Sequence, residues 1–499
     1  MKNSLEFDVI IIGSGVGGAT VADYLTNEHK NLKVAILESG PHRTKENFTS
    51  NEIGSTALYY NSGAVLSKNL QIGIAAANTL GGGSAVYTGV SFRPPKSVLN
   101  AWRDDFGLNF LSDDYVSTSL DVIEADLSVH ELPSDWDNQN NQLFQAGAEK
   151  LGIPVKRLKI NTKNCQQLAS CNFGCQTGAK QGALEVQIPR LLKRGVQLFC
   201  NTEVVLVAEN TVNVTVKEAT QNTIKNNIDS GNYQFKAKKI IIAAGVLNTP
   251  VILLKSTKAL GLKNKNIGRY ITLHPVFNIN GVFTENISNN TRFPKTVYTD
   301  YYSDSHGFFL ETSFYSLGIT AKNNRGYGEL HQEVMKDYKK MMSILILAHD
   351  KAEFKNHISI NKKGERILDY TISDASKRAL IKALQVSTKL FFAAGCEKVL
   401  IPGSCKLPIL KTDVSEIDAL ISKNYLNLNK TPLSSAHPQG GSRMGIDASN
   451  SVCDIYGKVY GTKSIYVCDA SLFPTSVKVN PYETIMLFAK WIAENMFKN

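Results

Sequence analysis

The sequence predicts a two-part α/β protein. One part is a doubly wound, Rossmann-like dinucleotide-binding domain with an added β-meander. The other is an α+β domain built on an antiparallel sheet. Three observations carry this expectation. Over residues 7–40 an apolar strand, a Gly13-x-Gly15-x-x-Gly18 turn, a helix and a second apolar strand ending at Glu38 follow one another. Residues 209–239 alternate Val, Thr and Asn before the apolar run Lys239–Gly245. Residues 276–365 are rich in aromatics and read as short alternating strands.

The first element is Val9–Ile12, an unbroken apolar run suited to a parallel strand buried on both faces. Gly13 allows the tight turn, Gly15 lets the backbone approach a pyrophosphate, and Gly18 lets the following helix pack close to the strand. The helix N-terminus offers free N–H groups to the phosphates. Glu38, at the end of strand Val34–Leu37, is placed to accept from a ribose 2′-OH. An irregular polar stretch runs to about residue 70. Gly81, Gly82 and Gly83 then precede Ser84, a backbone able to approach a ligand closely. The spacing predicts helices over 111–127, capped by Ser112, and 140–151, ended by Gly152. Val186–Leu192 reads as helix and Val196–Val207 as strands. After the meander, a helix starts at Asn248-Thr249-Pro250 and runs through Leu254. Phe308, Phe309, Phe314 and Tyr315 suit a sheet walling an apolar pocket, and equally an ordinary β core. Asp374–Ala394 reads as a long helix ended by Gly395, and 396–430 as loop.

Composition excludes several classes. With 43% apolar and 20% charged residues, the chain is an ordinary globular protein, and its 499 residues are too many for one simple core. The net charge of +11 is spread along the chain, so no nucleic-acid partner is expected. No signal peptide and no transmembrane run is seen, which points to a cytoplasmic protein and leaves peripheral membrane contact open. The eight cysteines are read as free thiols. Three of them, Cys165-x5-Cys171-x3-Cys175, lack a fourth ligand for a structural metal site, so no metal is expected there.

The last seventy residues hold two dense motifs. In Ser435-Ala436-His437-Pro438-Gln439-Gly440-Gly441 a histidine stands beside a Gly-Gly pair on a non-repetitive loop, where its imidazole can act as a base. In the second, a strand ends at Asp469-Ala470-Ser471, and Asn480-Pro481 opens a helix through Ile485, Phe488, Ile492 and Met496. Asn480 is expected at the cap of that helix.

Together these motifs resemble the glucose–methanol–choline (GMC) family of FAD-dependent oxidoreductases, nearly end to end. The likeness rests on the Gly13 loop with Glu38, Gly81-Gly82-Gly83-Ser84, Cys171-x3-Cys175-x2-Gly178-Ala179-Lys180, Ala243-Ala244-Gly245, His437-Pro438-x-Gly440-Gly441, Asp469-Ala470-Ser471 and Asn480-Pro481. It looks closest to the cholesterol-oxidase-like and lipophilic-alcohol branch. The resemblance implies that Gly13, Gly15, Gly18 and Glu38 bind the adenosine diphosphate half of FAD. It sets Gly82, Gly83 and Ser84 along the flavin, and Asp469, Ala470, Asn480 and Pro481 near the ribityl chain and ring, with Val204 also among the cofactor-binding residues. It makes His437 the catalytic histidine and Asn480 its partner. It implies a domain division into 1–45, 185–275 and 445–499 for FAD, and 46–184 and 276–444 for the substrate or cap. Tyr87 departs from the family, which often has asparagine there. Some sterol-oxidising members also use a substrate-domain glutamate, and Glu311 and Glu329 lie in that region.

The expected reaction is oxidation of an alcohol, sterols and other lipophilic alcohols included, to an aldehyde or ketone by hydride transfer to flavin N5. His437 takes or orients the hydroxyl proton, Asn480 bonds the same oxygen, and electrons pass to O₂ or another acceptor. The alternatives are an NAD-linked Rossmann reductase and a non-catalytic flavin-binding protein.

Overall fold

The computed structural model describes residues 2–498 apart from 64, 220–222, 224–225, 288–291, 325, 402–407, 423–425, 427–430 and 432. Its elements begin with β1 (Lys2–Ile12), α1 (Val16–Glu28) and β2 (Val34–Leu37). Three helices follow: α2 (Lys96–Phe106), α3 (Asp113–Asp126) and α4 (Gln139–Lys150). Next come β3 (Gln197–Phe199), β4 (Thr202–Ala208), β5 (Thr211–Val216), β6 (Gly231–Ile242) and α5 (Thr249–Leu260). The second half holds β7 (Val276–Val282), β8 (Val297–Thr299), β9 (Phe308–Thr312), α6 (Leu317–Asn323), α7 (Gly328–Lys336) and β10 (Met341–Ala348). It closes with α8 (Asp374–Ala394), β11 (Leu433–Ser435), β12 (Ile465–Val467) and α9 (Tyr482–Asn495).

The first sheet runs β4-β5-β6-β1-β2-β3, with β12 on the far half of β6. β1, β2, β3 and β12 are parallel to their neighbours, and β4-β5-β6 form the antiparallel meander. One expectation is corrected here. The meander's last strand and the run at Lys239 are a single strand, β6. Its first half pairs antiparallel with β5 and its last three residues parallel with β12. The burial pattern records the change of neighbours, alternating at first and then continuous over Ile240–Ile242.

The second sheet has ten strands, with β11-β7-β10-β9-β8 at its centre. Phe277, Ile279, Phe308, Leu310, Ile344 and Ile346 face the main core, where α8 packs on β7, β9 and β10. Val276, Phe309, Leu345 and Leu347 face the other way, with Phe92 and Tyr315 against them. The aromatic tract is therefore split by strand alternation. Phe309 and Tyr315 line the outer wall, Phe308 is core and stacks on Tyr302, and Phe314 lies against Tyr338.

Several expected elements shift. α5 runs to Leu260 rather than Leu254, ended by Gly261 in the left-handed conformation. Among the described residues the tract 276–365 also holds short helices that alternation does not foretell, α6, α7 and the single turn Ser303–His306. Within 396–430 the described residues include strands Lys398–Leu400 and Ile409–Leu410 and a short helix Ile417–Leu420, not loop alone. Helices α3, α4 and α8 lie within a residue or two of expectation, with Ser112 capping α3 and Gly395 ending α8. Trp102 of α2 and Phe110 pack on Phe488 of α9, so part of segment 46–184 rests on the C-terminal helix. Among the described residues no helix is long and apolar enough to cross a membrane, and the seven described cysteines are free thiols.

Candidate active site

The Gly13 turn joins β1 to α1 and faces the 81–84 loop. Gly13 has φ +105°, and a side chain there would run into the Ala243 carbonyl. One at Gly18 would run into the Gly13 carbonyl, which is the close helix–strand contact expected. Gly15 differs, because its added Cβ would meet only Gly82 Cα at 3.9 Å. As a glycine N-cap it offers no side-chain oxygen to the first-turn N–H groups of α1. Sequence reasoning missed Gly17, where a Cβ would strike the Cys468 carbonyl at the end of β12. The four glycines so perform different tasks; of them Gly15 alone borders free space, as Gly83 does in the facing loop.

Other expected cofactor residues are bound into the protein. Glu38 is buried. Its carboxylate accepts from Ser14 N (3.0 Å), Ser14 Oγ (2.6 Å) and Gly40 N (2.7 Å), and burial raises its pKa. Ser14 Oγ in turn accepts from Gly81 N at 3.0 Å, so Glu38 ties the Gly13 turn to the triple-glycine loop. Ser84 Oγ donates to Gly81 O and accepts from Ala183 N. Val204 lies on β4, at one edge of the first sheet, opposite Val214. Asp469 accepts from Gly245 N (2.9 Å), Thr249 Oγ1 (2.5 Å) and Ser471 N (2.8 Å), holding the ends of β12 and β6 to α5.

The two C-terminal motifs are stitched together. Gly440 N donates to Ala470 O, Ser442 N to Ser471 O and Met444 N to Leu472 O. Gln439, fully buried, spans three segments. Its Oε1 accepts from Val477 N at 2.8 Å, its Nε2 donates to His437 O, and its backbone pairs both ways with Thr272. This bond sits two residues after His437 and three before Asn480. Asn480 departs from expectation, because Pro481 occupies the N-cap of α9. Freed from capping, the Asn480 side chain leaves Oδ1 buried with no partner, as is Nδ1 of His437.

His274 is a site residue that sequence reasoning missed. Its ring lies edge-on to His437, centroids 5.6 Å apart. Its Nε2 lies 2.6 Å from Ser476 Oγ and 3.5 Å from Gln439 Nε2. The Gln439 amide is oriented by Val477, so its nitrogen donates and His274 Nε2 accepts. The His274 proton therefore sits on Nδ1, a buried donor with no protein partner. The lone histidine before Pro275 carried no motif signal of its own.

Burial, and then the nearby Lys295 charge, hold the His437 imidazole down to about 3. Burial also drives His274 well below its ordinary value, with the His437 charge second. Both rings are neutral at physiological pH. Lys295 forms a buried ion pair with Glu311 at 2.5 Å. Of the two candidate glutamates, Glu311 thus stands near the site, while Glu329 is exposed in the first turn of α7.

Tyr87 hydrogen-bonds Asn161 and packs edge-on against Tyr482 at 5.4 Å. Lys180, fully buried, donates to the carbonyls of Ala85, Tyr87 and Cys171 at 2.8–2.9 Å. It fastens the end of the triple-glycine loop to the cysteine segment. Cys165, Cys171 and Cys175 are half-buried free thiols. Among the described residues no group of three or more His, Cys, Asp or Glu is arranged to hold a metal ion.

Models of the N-terminal and C-terminal parts of the GMC oxidoreductase family match residues 55–276 and 355–489, together well over half of the chain. The chain is 27% identical to a long-chain-alcohol oxidase of Arabidopsis thaliana over 99% of its own length and 68% of that protein's. It is 21% identical to a cholesterol oxidase of Acinetobacter baumannii over 98% of its own length and 94% of that protein's. Its fold is similar to pyridoxine 4-oxidase from Mesorbium loti, with TM-score 0.72, 17% identity and 99% of both chains covered. Formate oxidase of Aspergillus oryzae RIB40 aligns with TM-score 0.73, 14% identity and 99% and 98% coverage.

Proposed function

This chain belongs to the GMC oxidoreductase family, and from that premise we propose that it oxidises a lipophilic alcohol with His437 as base and O₂ as electron acceptor. It is an FAD-dependent enzyme of the alcohol oxidase or dehydrogenase type. FAD, when bound, supplies the two-electron acceptor for the carbinol hydrogen.

The residues present fit that cofactor. Gly15 and Gly83 border open space, and the first turn of α1 is uncapped, which suits a pyrophosphate. Glu38 accepts three short hydrogen bonds and keeps acceptor capacity for a ribose hydroxyl. Asp469 and Ala470 hold the strand end beside the His437 loop, and Pro481 starts α9 behind Asn480.

The observation that carries the reaction is the set of orphaned buried atoms: Nδ1 of His437, Oδ1 of Asn480 and Nδ1 of His274. A buried polar group without a partner is costly, and with Ser442 Oγ and Ser471 Oγ on the same stitched loops these atoms support a place there for a ligand's polar atoms. A neutral His437 can accept the hydroxyl proton, while the Asn480 Nδ2–H and the His274 Nδ1–H can donate to the same oxygen. The apolar wall of Val276, Phe309, Leu345 and Leu347 supports a lipophilic substrate, as do the named activities of the relatives.

The test is purification followed by an alcohol panel that includes long-chain alcohols and sterols. The expected outcome is a yellow protein that contains FAD and forms hydrogen peroxide with lipophilic alcohols. Flavin that no alcohol reduces anaerobically would refute the reading. Dye reduction without peroxide would refute O₂ as the acceptor.

A further inference from the structure

The ion pair of Lys295 and Glu311 is not used by the reaction proposed above. Both side chains are almost wholly removed from solvent, 8% and 0% exposed. Their hydrogen-bonding capacity is far from filled. Glu311 Oε2 accepts from Lys295, and Oε1 has no partner. Lys295 Nζ spends one of its three N–H bonds on Glu311 and has no other hydrogen-bond partner among the described residues.

Strand register places Glu311 on the sheet face that carries Val276, Phe309, Leu345 and Leu347. The row Val276, Leu347 and Phe309 crosses β7, β10 and β9 next to His274. The neighbouring row on the same face is Asn278, Leu345, Glu311 and Tyr298. Asn278 Oδ1, in that row, is another buried atom without a partner. Glu311 lies two strands over from β7, about 10 Å across the sheet. The charge of Lys295 is felt at His437, so both belong to one environment.

We propose that the Lys295–Glu311 pair is a second recognition subsite, and that the alcohol this protein oxidises carries a second hydroxyl remote from its reacting carbinol. The claim rests on the alcohol-oxidising reading and deepens it. A hydroxyl both accepts from the ammonium and donates to Oε1, filling each half of the pair. A carboxylate has no proton for Oε1 and would be repelled by it. A methyl-ended chain would leave both charges unsatisfied. The spacing puts the second hydroxyl at the far end of an apolar spacer that runs along Leu345, Leu347 and Phe309.

The experiment uses the holoenzyme and compares kcat/KM for 1,10-decanediol, 1-decanol and 10-hydroxydecanoate. The diol has two reactive ends, so a factor of two is statistical. The expected result is a preference for diol over decanol of at least about tenfold, with the hydroxy acid no better than decanol. In a Lys295→Met, Glu311→Leu double variant the diol-to-decanol ratio should fall toward two. Both residues are replaced because removing one leaves an uncompensated buried charge. A wild-type ratio near two overturns the proposal without need of any variant. So does a ratio that the double variant leaves unmoved. Flavin reduced by decanol with no diol preference defeats the subsite alone, whereas flavin reduced by none of the three defeats the alcohol-oxidising reading beneath it.

Discussion

The proposed reaction needs His437 as a neutral imidazole, and its surroundings favour that form. Its pKa is depressed first by burial and then by Lys295, to about 3. A depressed histidine is in its base form at every pH above that value, so the acid limb of flavin reduction should lie below about pH 5 and not near the ordinary 6.5. Anaerobic stopped-flow reduction by a saturating alcohol should therefore be flat from pH 5 to 9 in any limb that belongs to His437. An inflection near 6.5 that disappears in His437→Ala would show a normally titrating imidazole. The same variant should keep its flavin spectrum and slow reduction by about 10²–10⁴-fold. Loss of the flavin would instead make the histidine structural. The histidine and Asn480 stand out in sequence because each sits in a dense motif. His274 does not, because what makes it interesting is a tautomer fixed by Gln439 and Val477, residues far from it along the chain.

At the scale of elements, the β1–α1 unit separates a glycine that leaves room for a ligand from one that leaves room for the protein. Gly15 has open space at its Cβ, whereas Gly17 abuts the end of β12. Gly15→Val should fold, with an unchanged far-UV circular dichroism spectrum, and emerge colourless because the pyrophosphate is blocked. Gly17→Ala should instead lose soluble yield or destabilise the fold by about 1–3 kcal/mol through overpacking, whatever its flavin content. Full colour in Gly15→Val, or wild-type stability in Gly17→Ala, would reverse these roles. The GxGxxG spacing announces both strand and turn, but it does not say that Gly17, just before the third glycine, is pinned by a chain segment 451 positions away. The same limit explains the other differences. Continuous burial on β6, local periodicity in α8 and the Gly395 stop are local signals and were legible. α6 and α7 were not, because helices of only seven and nine residues that bury almost nothing give too short a pattern to stand out from a tract of alternating strands. Proline's preference for the first helical position makes Asn480 read as the cap, whereas the helix starts at Tyr482 with Pro481 itself at the N-cap.

Across the whole molecule, the two sheets share no strand, so the site between them depends on loops that cross from one to the other. Gln439 is the side chain that binds most of these crossings. It joins Thr272 beside β7, the His437 carbonyl, and Val477 on the way to Asn480. Removing its amide leaves the Val477 N–H buried and unpaired, a cost of about 1–3 kcal/mol. It also removes the amide donor at His274 Nε2 and leaves only the Ser476 hydroxyl, which can donate or accept, so the His274 proton is no longer confined to Nδ1. Gln439→Leu should therefore lower the melting temperature by a few degrees, retain FAD held by the distant Gly13 loop, and slow flavin reduction by about 10–100-fold through misplacement of His437 and Asn480. Gln439→Glu keeps the acceptor for Val477 and loses the two donor bonds, so it should recover stability more than rate. Equal recovery of both, or a Gln439→Leu enzyme that reduces its flavin at the wild-type rate, would mean that the stitching serves the fold alone. The split between stability and rate is the measurement that tells a clamp on the reacting groups from a clamp on the domains.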